Sequence, residues 1–503
     1  MDAQTPFDAS AYSDVILRSV DNIDFFVIEG LLRLVSPVFN TTLSSNRVSA
    51  LHEKKNDRPV FSVAEDSETL HHILSSIYPY VIQAKLNDCR LLLKVGAAVQ
   101  KYRMETIENK FKIFLSTSAR ECGVGAFPDQ FQLYATLVQL GWHHEATLAA
   151  RNTLGTPLHL LPFIDELRHI NGADFYGYLD LKSRHDRATS ERKPRTKAGS
   201  TAKRLSVATS QQQSDTDTLV SRADKCFEPS KDADAILRSS DLVDFYILKA
   251  LVLLASPTLG TKKSAKSEGG LPVFECDEDS ETLHQLLLFI YPHGRLYQID
   301  RLDTFHKLSK AAQKYKMAAA EERLKLLLLA SSVPVDEPLR VFAIAVTLRW
   351  GDVAKSAAIN TLNEPLDDMA YVEELKQITG ADLYWLVQYR FQCVDAACEV
   401  VEMEPIFASQ ALHQRGPEKS TVKSRILDKL KVSPHGSAVV EACAEELEEL
   451  AKGVFWDLKV VIKLLQRRDA LVNAVEEAVW KVPLKLEGCE DSHIREIEMK
   501  DNE

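Results

Sequence analysis

The residues of this chain that could do chemistry are a few histidines, two tyrosine–lysine pairs and a thin scatter of cysteines. His71, His72 and His284 could ligate a metal through an imidazole nitrogen. No set of Cys, Asp or Glu at ligand spacing accompanies them, so helix-surface or packing positions suit them better. His143-His144 has no counterpart later in the chain, where Gly351-Asp352 stands instead. Cys393 and Cys398 lie five apart, the wrong spacing for a zinc clip, and the eight cysteines include no CxxC or CxxH. They read as inert thiols in a reducing compartment. Tyr102 beside Lys101 and Tyr315 beside Lys314 have the look of acid–base pairs, but core tyrosines with a satisfied hydroxyl are the commoner case. No GxSxG elbow, GxGxxG turn or HExxH helix occurs, and Gly260-Thr-Lys-Lys lacks the order of a phosphate loop. Nothing joins a nucleophile to a base and an orienting group. The expectation is therefore a non-enzyme with no catalytic residue, no metal and no cofactor.

Composition narrows the class further. The 503 residues carry a formal net charge of −11, with 45% apolar and 26% charged residues. That is the mix of an ordinary globular protein, and the acidic balance argues against coating nucleic acid by bulk charge. The N-terminal Met1–Asp14 stretch has no apolar core of a secretory signal, and no apolar run approaches the ~18 residues that span a bilayer. An intracellular protein of the cytoplasm or nucleus is expected, without a membrane partner.

The elements that must position these residues occur twice. Asp14-Val-Ile-Leu-Arg-Ser19 returns as Asp234-Ala-Ile-Leu-Arg-Ser239, Asp24-Phe25 as Asp244-Phe245, and Ser36-Pro37 as Ser256-Pro257. Pro59–Pro79 aligns with Pro272–Pro292 at 14 of 21 positions. Gln100-Lys-Tyr-Arg-Met104 matches Gln313-Lys-Tyr-Lys-Met317, Trp142 matches Trp350, Asn152-Thr-Leu154 matches Asn360-Thr-Leu362, and Gly172-Ala-Asp174 matches Gly380-Ala-Asp382. A unit this long exceeds a solenoid repeat and reads as two copies of one multi-element module.

Within a copy, Val15–Ser19 and Phe25–Ile28 read as strands joined by a turn, a hairpin. Leu31–Val35 is helical in character. Ser36 offers an N-cap hydroxyl and Pro37 suits the first helical position. Val60–Val63 reads as a third strand. Asp66 and Ser67 are cap candidates for a helix with Glu68 in its first turn, and that helix must stop at Tyr78 before Pro79. In the second copy Leu302, Phe305, Leu308, Ala312 and Tyr315 recur at three and four, a buried stripe. The remainders, about 127–180 and 337–392, have helical periodicity and no strand signal.

This order of motifs resembles the BTB/POZ domain, and looks most like the version abundant in fungi, the basidiomycete type, in which a BACK-like helical region follows. The resemblance implies an α+β fold of two small sheets flanked by helices. The expected domains are a first BTB/POZ-like domain at 10–118, a helical region at 127–182, a basic linker at 183–228, a second BTB/POZ-like domain at 230–330, a second helical region at 337–392 and a helical extension at 394–503. The family's usual His-Lys pair reads Ile28-Glu29 and Leu248-Lys249 here. Many members dimerise through a charged pocket in which a first-strand Asp faces a basic residue. Asp14 and Asp234 match the acid, while the basic position is Phe26 in one copy and Tyr246 in the other. These four residues are the candidate interaction surface. The plainer reading of Asp14 and Asp234 is a strand-start aspartate with a local backbone hydrogen bond. Leu51-His-Glu53 has the hydrophobic-x-Glu form that some BTB adaptors present to a cullin scaffold.

The stretch 183–228 is rich in Arg, Lys, Ser, Thr and Gln and cannot bury enough apolar surface to fold. As a flexible coil it would span roughly 40 Å, enough for the two copies to meet in one chain. Arg192, Lys193, Arg195, Lys197, Lys203 and Arg204 form basic clusters that read either as a solvated linker or as a nuclear-import signal. Ser206 beside them would suit a basic-directed kinase. In the tail, Pro434-His-Gly436 marks a turn. Val440, Cys443, Leu447, Leu450, Val454, Leu458, Val461 and Leu465 then form an amphipathic stripe, with Gly453 as a break. That helix either packs on the second helical region or binds a partner. The function expected is a protein–protein interaction scaffold that associates through its paired BTB/POZ domains, within a chain or as a homodimer. The alternatives are a substrate adaptor of a cullin-3-type ubiquitin ligase and a nuclear transcription-associated regulator. No motif supports direct nucleic-acid contact.

Overall fold

The computed structural model describes residues 1–46, 53–78, 88–120, 127–191, 227, 233–259, 266–268, 270–291, 299, 301–404, 422–451 and 458–486. The chain divides into two compact units, Met1–Arg192 with Thr379–Tyr384, and Lys193–Ile378 with Trp385–Glu503.

In the first unit β1 (Val15–Arg18) and β2 (Asp24–Val27) form the expected antiparallel hairpin, Val15 opposite Val27 and Arg18 opposite Asp24. Its turn puts Asn22 at φ 60°, a left-handed conformation that asparagine tolerates. A two-residue strand, β3 (Lys54–Lys55), is absent from the sequence reading. It pairs with β4 (Arg58–Ser62), and β4 lies parallel to β1, giving the order β2-β1-β4-β3. Side chains alternate across the sheet. Leu17, Phe25 and Phe61 therefore share one face, and Ile16, Phe26 and Val60 the other.

Helices α1 (Glu29–Val35), α2 (Pro37–Asn46), α3 (Ser67–Ile77), α4 (Cys89–Lys101) and α5 (Glu105–Arg120) complete the α+β part. The caps are those the residues predict. The Ser36 hydroxyl accepts the Phe39 N–H at 3.1 Å, Asp66 accepts the Thr69 N–H at 2.9 Å, and α3 stops with Tyr78 at its C-cap. Helices α6 (Gln130–Gln139), α7 (His143–Thr153) and α8 (Gly172–Glu191) follow, with short 3-10 turns at Leu158–Leu160 and Asp165–His169. Helix α8 continues past 183, where the basic linker was expected to begin. Charge pairing sustains it: Arg184 meets Asp180 at 2.5 Å, and the buried Lys182 ammonium reaches Leu154 O at 2.5 Å and Asp186 at 3.2 Å.

The residues ahead of β1 belong to the unit. The Ala3 N–H donates to Asp24 O at 2.9 Å, and the Phe26 N–H donates to Phe7 O at 2.9 Å. The buried Phe7 ring stands edge-on to Tyr78 and His71, at 5.3 and 5.6 Å between centroids, with Phe25 at 6.1 Å. The packing of the first module thus begins ahead of position 10, because Phe7 fills the space between β2 and α3.

The second unit repeats this arrangement. Strands β5 (Ala235–Arg238), β6 (Asp244–Ile247), β7 (Lys266–Glu268) and β8 (Leu271–Glu275) are ordered β6-β5-β8-β7. Ala235 lies opposite Ile247 and Ile236 beside Val273. Phe227 repeats Phe7, with Phe245, His284 and Tyr291 at 5.9, 5.6 and 5.2 Å. Helices α9 (Lys249–Ala255), α10 (Ser280–Ile290), α11 (Leu302–Lys314) and α12 (Ala318–Ala330) follow. The predicted stripe from Leu302 to Tyr315 is buried. Helices α13 (Val333–Asp336), α14 (Pro338–Thr347), α15 (Gly351–Thr361) and α16 (Gly380–Met403) make the second helical region.

The tail contributes α17 (Val422–Val432), α18 (Gly436–Ala451) and α19 (Leu458–Lys481). The stripe from Val440 to Leu465 is split between two helices, and the break expected at Gly453 lies outside the described residues. Within α18 the inward face is Ala438, Val439, Ala442 and Cys443, while Val440 is exposed, because alanines let α18 lie close to its neighbours. At Gly436 a Cβ would stand 2.6 Å from Glu476 Oε1 and 2.7 Å from Val472 Cγ1, so glycine permits the approach of α19. The buried Arg390 of α16 donates to Thr361 O at 2.9 Å and to Val432 O. It stitches α15 and α17 to α16 with carbonyls alone, and burial lowers its pKa to about 10.

The hairpin turn of the second unit carries a defect. Leu242 stands where Asn22 stands in the first, at φ 65° and 78% exposed. A left-handed leucine costs on the order of 1 kcal/mol, and its side chain gains little from burial. Leu242→Asn is expected to stabilise the second unit by about 1 kcal/mol, read as slower hydrogen exchange across β5 and β6 with the first sheet unchanged.

Candidate functional site

The candidate surface starts at Asp14 and Asp234. Each carboxylate accepts the first N–H of the following helix at 2.6 Å, Glu29 in one unit and Lys249 in the other. Both side chains are exposed and both have this local backbone role. The four candidate residues are not equivalent in exposure. Phe26 is 1% exposed, packed with Ile16, Val60 and Ala11, with Lys55 Nζ at 5.8 Å and the Arg58 guanidinium at 5.4 Å from its ring centroid. It is therefore part of the interior of the first unit and not of its surface. Tyr246 is half-buried.

What these aspartates position is a seven-residue helix in each unit. On α1, Leu32 is buried and Leu34 is 81% exposed; on α9, Val252 is buried and Leu254 is 85% exposed. A helix turns 100° per residue, so positions two apart point nearly opposite ways. Leu34 and Leu254 occupy the same place in the repeat. Beside them the units diverge. Arg33 is tied to Glu29 at 2.5 Å, whereas the equivalent Leu253 adds a second exposed apolar side chain to α9. Sequence reasoning missed this pair, although the helical phase of Leu31–Val35 carries the signal.

The tyrosines are interior. Tyr102 donates its hydroxyl to Glu65 and Tyr315 to Glu278, and Lys101 and Lys314 reach the same carboxylates at 2.7 and 2.6 Å. Burial and then the neighbouring carboxylate push both phenols well above their ordinary value. Protonated, each serves as a donor. His71 and His284 stack edge-on to Phe7 and Phe227. His72 is buried, and burial lowers the pKa of both His71 and His72. Among the described residues no group of three or more His, Cys, Asp or Glu is arranged to hold a metal ion. Burial pushes the Cys89 and Cys393 thiols up to about 12. Glu53 accepts two bonds from the Arg18 guanidinium, at 2.7 and 2.8 Å. Leu51 and His52, and the basic cluster Arg192, Lys193, Arg195, Lys197, Lys203 and Arg204 with Ser206, lie outside the described residues. Among the described residues no helix is long and apolar enough to cross a membrane.

With the sheet, the flanking helices and this surface described, the comparison with known families is decisive for the first unit. The BTB/POZ domain model matches residues 4–119. That segment is a BTB/POZ domain. The match begins upstream of Phe7, in accord with the packing of that ring. A BTB/POZ domain is a protein–protein interaction module, which makes an exposed leucine on α1 of direct interest. No curated protein matches the chain in sequence.

One buried titratable group stands apart from this surface. His306 on α11 is 7% exposed and its Nε2 is buried with no hydrogen-bond partner. Burial, with Lys310 and Arg340 against Glu374 and Asp303, lowers its pKa to about 4. The folded chain keeps the ring neutral, while the unfolded chain binds a proton below about 6.5. The stability tied to the neutral ring is complete above pH ~6.5 and lost as pH falls toward ~4, on the order of 3 kcal/mol. The first unit has Leu93 at the equivalent position. His306→Leu is expected to remove this acid sensitivity. Urea midpoints of the second unit should fall between about pH 7 and pH 4.5 in the wild type, and fall less in the variant.

Proposed function

We propose that the chain is a protein–protein association scaffold in which two BTB/POZ-like modules, at 4–119 and 230–330, pair through helices α1 and α9, each followed by a BACK-like helical region. One observation carries this reading: Leu34 and Leu254, equivalent in the repeat, are each more than four-fifths exposed on equivalent helices. Exposed leucines at one repeated place suit a self-complementary contact between like modules. The reading of the second module as BTB/POZ-like is supported by its sheet order and residue-for-residue register, which match those of the first. Two such modules on one chain raise each other's effective concentration, so pairing within the chain competes with pairing between chains. The occupant of each leucine face is thus another copy of the module.

The cullin-adaptor reading gains nothing from Leu51-His-Glu53, since Glu53 is engaged by Arg18. The nuclear reading stands on the basic cluster alone.

The test is Leu34→Asp and Leu254→Asp in the full chain, with mass by light scattering and dimension by small-angle X-ray scattering. Pairing between chains predicts a halved mass in the double variant. Pairing within the chain predicts an unchanged mass and a larger radius of gyration. If neither quantity moves while both units stay folded, the proposal is wrong. Circular dichroism should show both units still folded, because neither side chain is buried within its own unit.

A further inference from the structure

The tail of the second unit does more than cover α15. Where its Pro434-His435 turn and the last turns of α19 meet α15, they leave an open cleft of about 250 Å³ lined by Ile359, Asn360, Glu476, Val479 and Trp480, together with Ser356 and the two turn residues. Five of the eight lining residues come from the tail that only the second copy carries.

The lining has a definite chemistry. Ile359, Pro434 and Val479 form an apolar floor. Trp480 is 51% exposed, a large aromatic surface to leave in water, and its ring already holds a cation, with Lys355 Nζ at 5.2 Å. Lys355 itself does not line the cleft. Glu476 is exposed and has no ion-pair partner among the described residues, whereas the adjacent Glu477 is taken by Lys481 at 2.7 Å. The close passage of Glu476 over Gly436 fixes where that carboxylate stands. Asn360 donates its amide N–H to Pro334 O at 3.0 Å, which leaves its carbonyl oxygen as an acceptor. The volume is below the 300–1,000 Å³ typical of small-molecule sites, and matches one long side chain. An apolar floor, an aromatic wall, a carboxylate and an amide describe the complement of a side chain with an aliphatic stem and a planar cationic fork.

We propose that this cleft binds an arginine side chain of a partner protein. The occupant is a basic segment, and the net charge of −11 favours its approach. This goes beyond the pairing of the two modules and does not depend on it, since none of the lining residues lies on α1 or α9.

The probe is a fluorescein-labelled acetyl-Gly-Ser-Arg-Ser-Gly peptide, read by anisotropy against the full chain, with a citrulline peptide as the uncharged isostere. Saturable binding of the arginine peptide is expected, with the citrulline peptide about tenfold weaker. Glu476→Gln should weaken binding about tenfold, while Glu477→Gln, the same change in charge one residue away, should leave it within about twofold. Equal losses in the two variants, or equal binding of the two peptides, would overturn the proposal in favour of bulk attraction. So would binding that emerges only when Arg192, Lys193, Arg195, Lys197, Lys203 and Arg204 are all changed to Gln, which would assign the cleft to the chain's own basic segment. Glu476→Gln keeps the shape of an exposed side chain and removes only its charge, so an unchanged thermal midpoint confirms that folding is intact.

Discussion

The Ser36 hydroxyl, wholly buried, accepts the Phe39 N–H at 3.1 Å and donates to Tyr102 O at 2.6 Å. One oxygen thereby caps α2 and satisfies a carbonyl at the end of α4, two helices far apart in sequence. Ser256 does the same for Leu259 and Tyr315, at 3.0 and 2.6 Å. A buried hydroxyl lacking either partner would leave a cost of roughly 1–3 kcal/mol per orphaned group. The requirement propagates outward. Tyr102 can present its carbonyl there because its phenol is held by Glu65, and Glu65 is placed by the loop that leads into α3. The C-cap tyrosine of α3, Tyr78, in turn accepts the Ile28 N–H at 2.8 Å, where the hairpin gives way to α1. Sheet, α1, α2, α3 and α4 are closed into one circuit by three side-chain hydroxyls.

This circuit explains which residues the duplication preserved. Ser-Pro, Ile-Tyr-Pro, Gln-Lys-Tyr and the strand-start Asp are its polar members, and each makes the same bond twice. The Tyr291 hydroxyl accepts the Leu248 N–H at 2.8 Å, the Gln100 and Gln313 amides donate to Leu140 O and Leu348 O at 2.7 and 2.6 Å, and the indoles of Trp142 and Trp350 donate to Glu108 and Glu321 at 2.9 and 2.6 Å. Apolar positions exchange more freely, since a core tolerates volume-conserving swaps better than it tolerates a missing hydrogen-bond partner. The motifs that resembled catalytic pairs, Lys101-Tyr102 above all, are therefore interior polar joints.

How far the sequence could be read follows from which forces are local. The Ser36 and Asp66 caps, the stop at Tyr78 and the hairpin were legible because neighbouring residues decide them. Strand β3 was not, because two lysines have no pattern of their own and become a strand only by pairing with Pro59 and Arg58. Phe7 was overlooked as an isolated aromatic in a polar stretch, yet Phe227 lies at the same offset of 220 as Asp14 and Asp234 and carried the signal. The inner face of α18 was only partly legible, because Ala438 and Ala442 join Cys443 inside while the larger Val440 is exposed. Phe26 was assigned to the surface by resemblance alone, and no local pattern reveals that Arg58 and Lys55 cover it.

The two units share their polar joints, and the differences between them have a direction. In the second unit leucine replaces the ion-paired Arg33 on the helix after the hairpin, an unpartnered histidine replaces Leu93, and a left-handed arginine, Arg349 at φ 57°, replaces Gly141 at φ 70°. Each change weakens or loads the second copy by itself: apolar surface in water, a neutral ring kept from its proton, a side chain in a backbone region that glycine enters without cost. Such a copy needs outside support more than the first does. The tail supplies part of it, since Arg390 of α16 bonds a carbonyl of α15 and one of α17. The leucines of α9 are not among the residues that the tail buries. On this argument the second unit is the one with more to gain from a contact at α9, where Leu253 and Leu254 are both exposed.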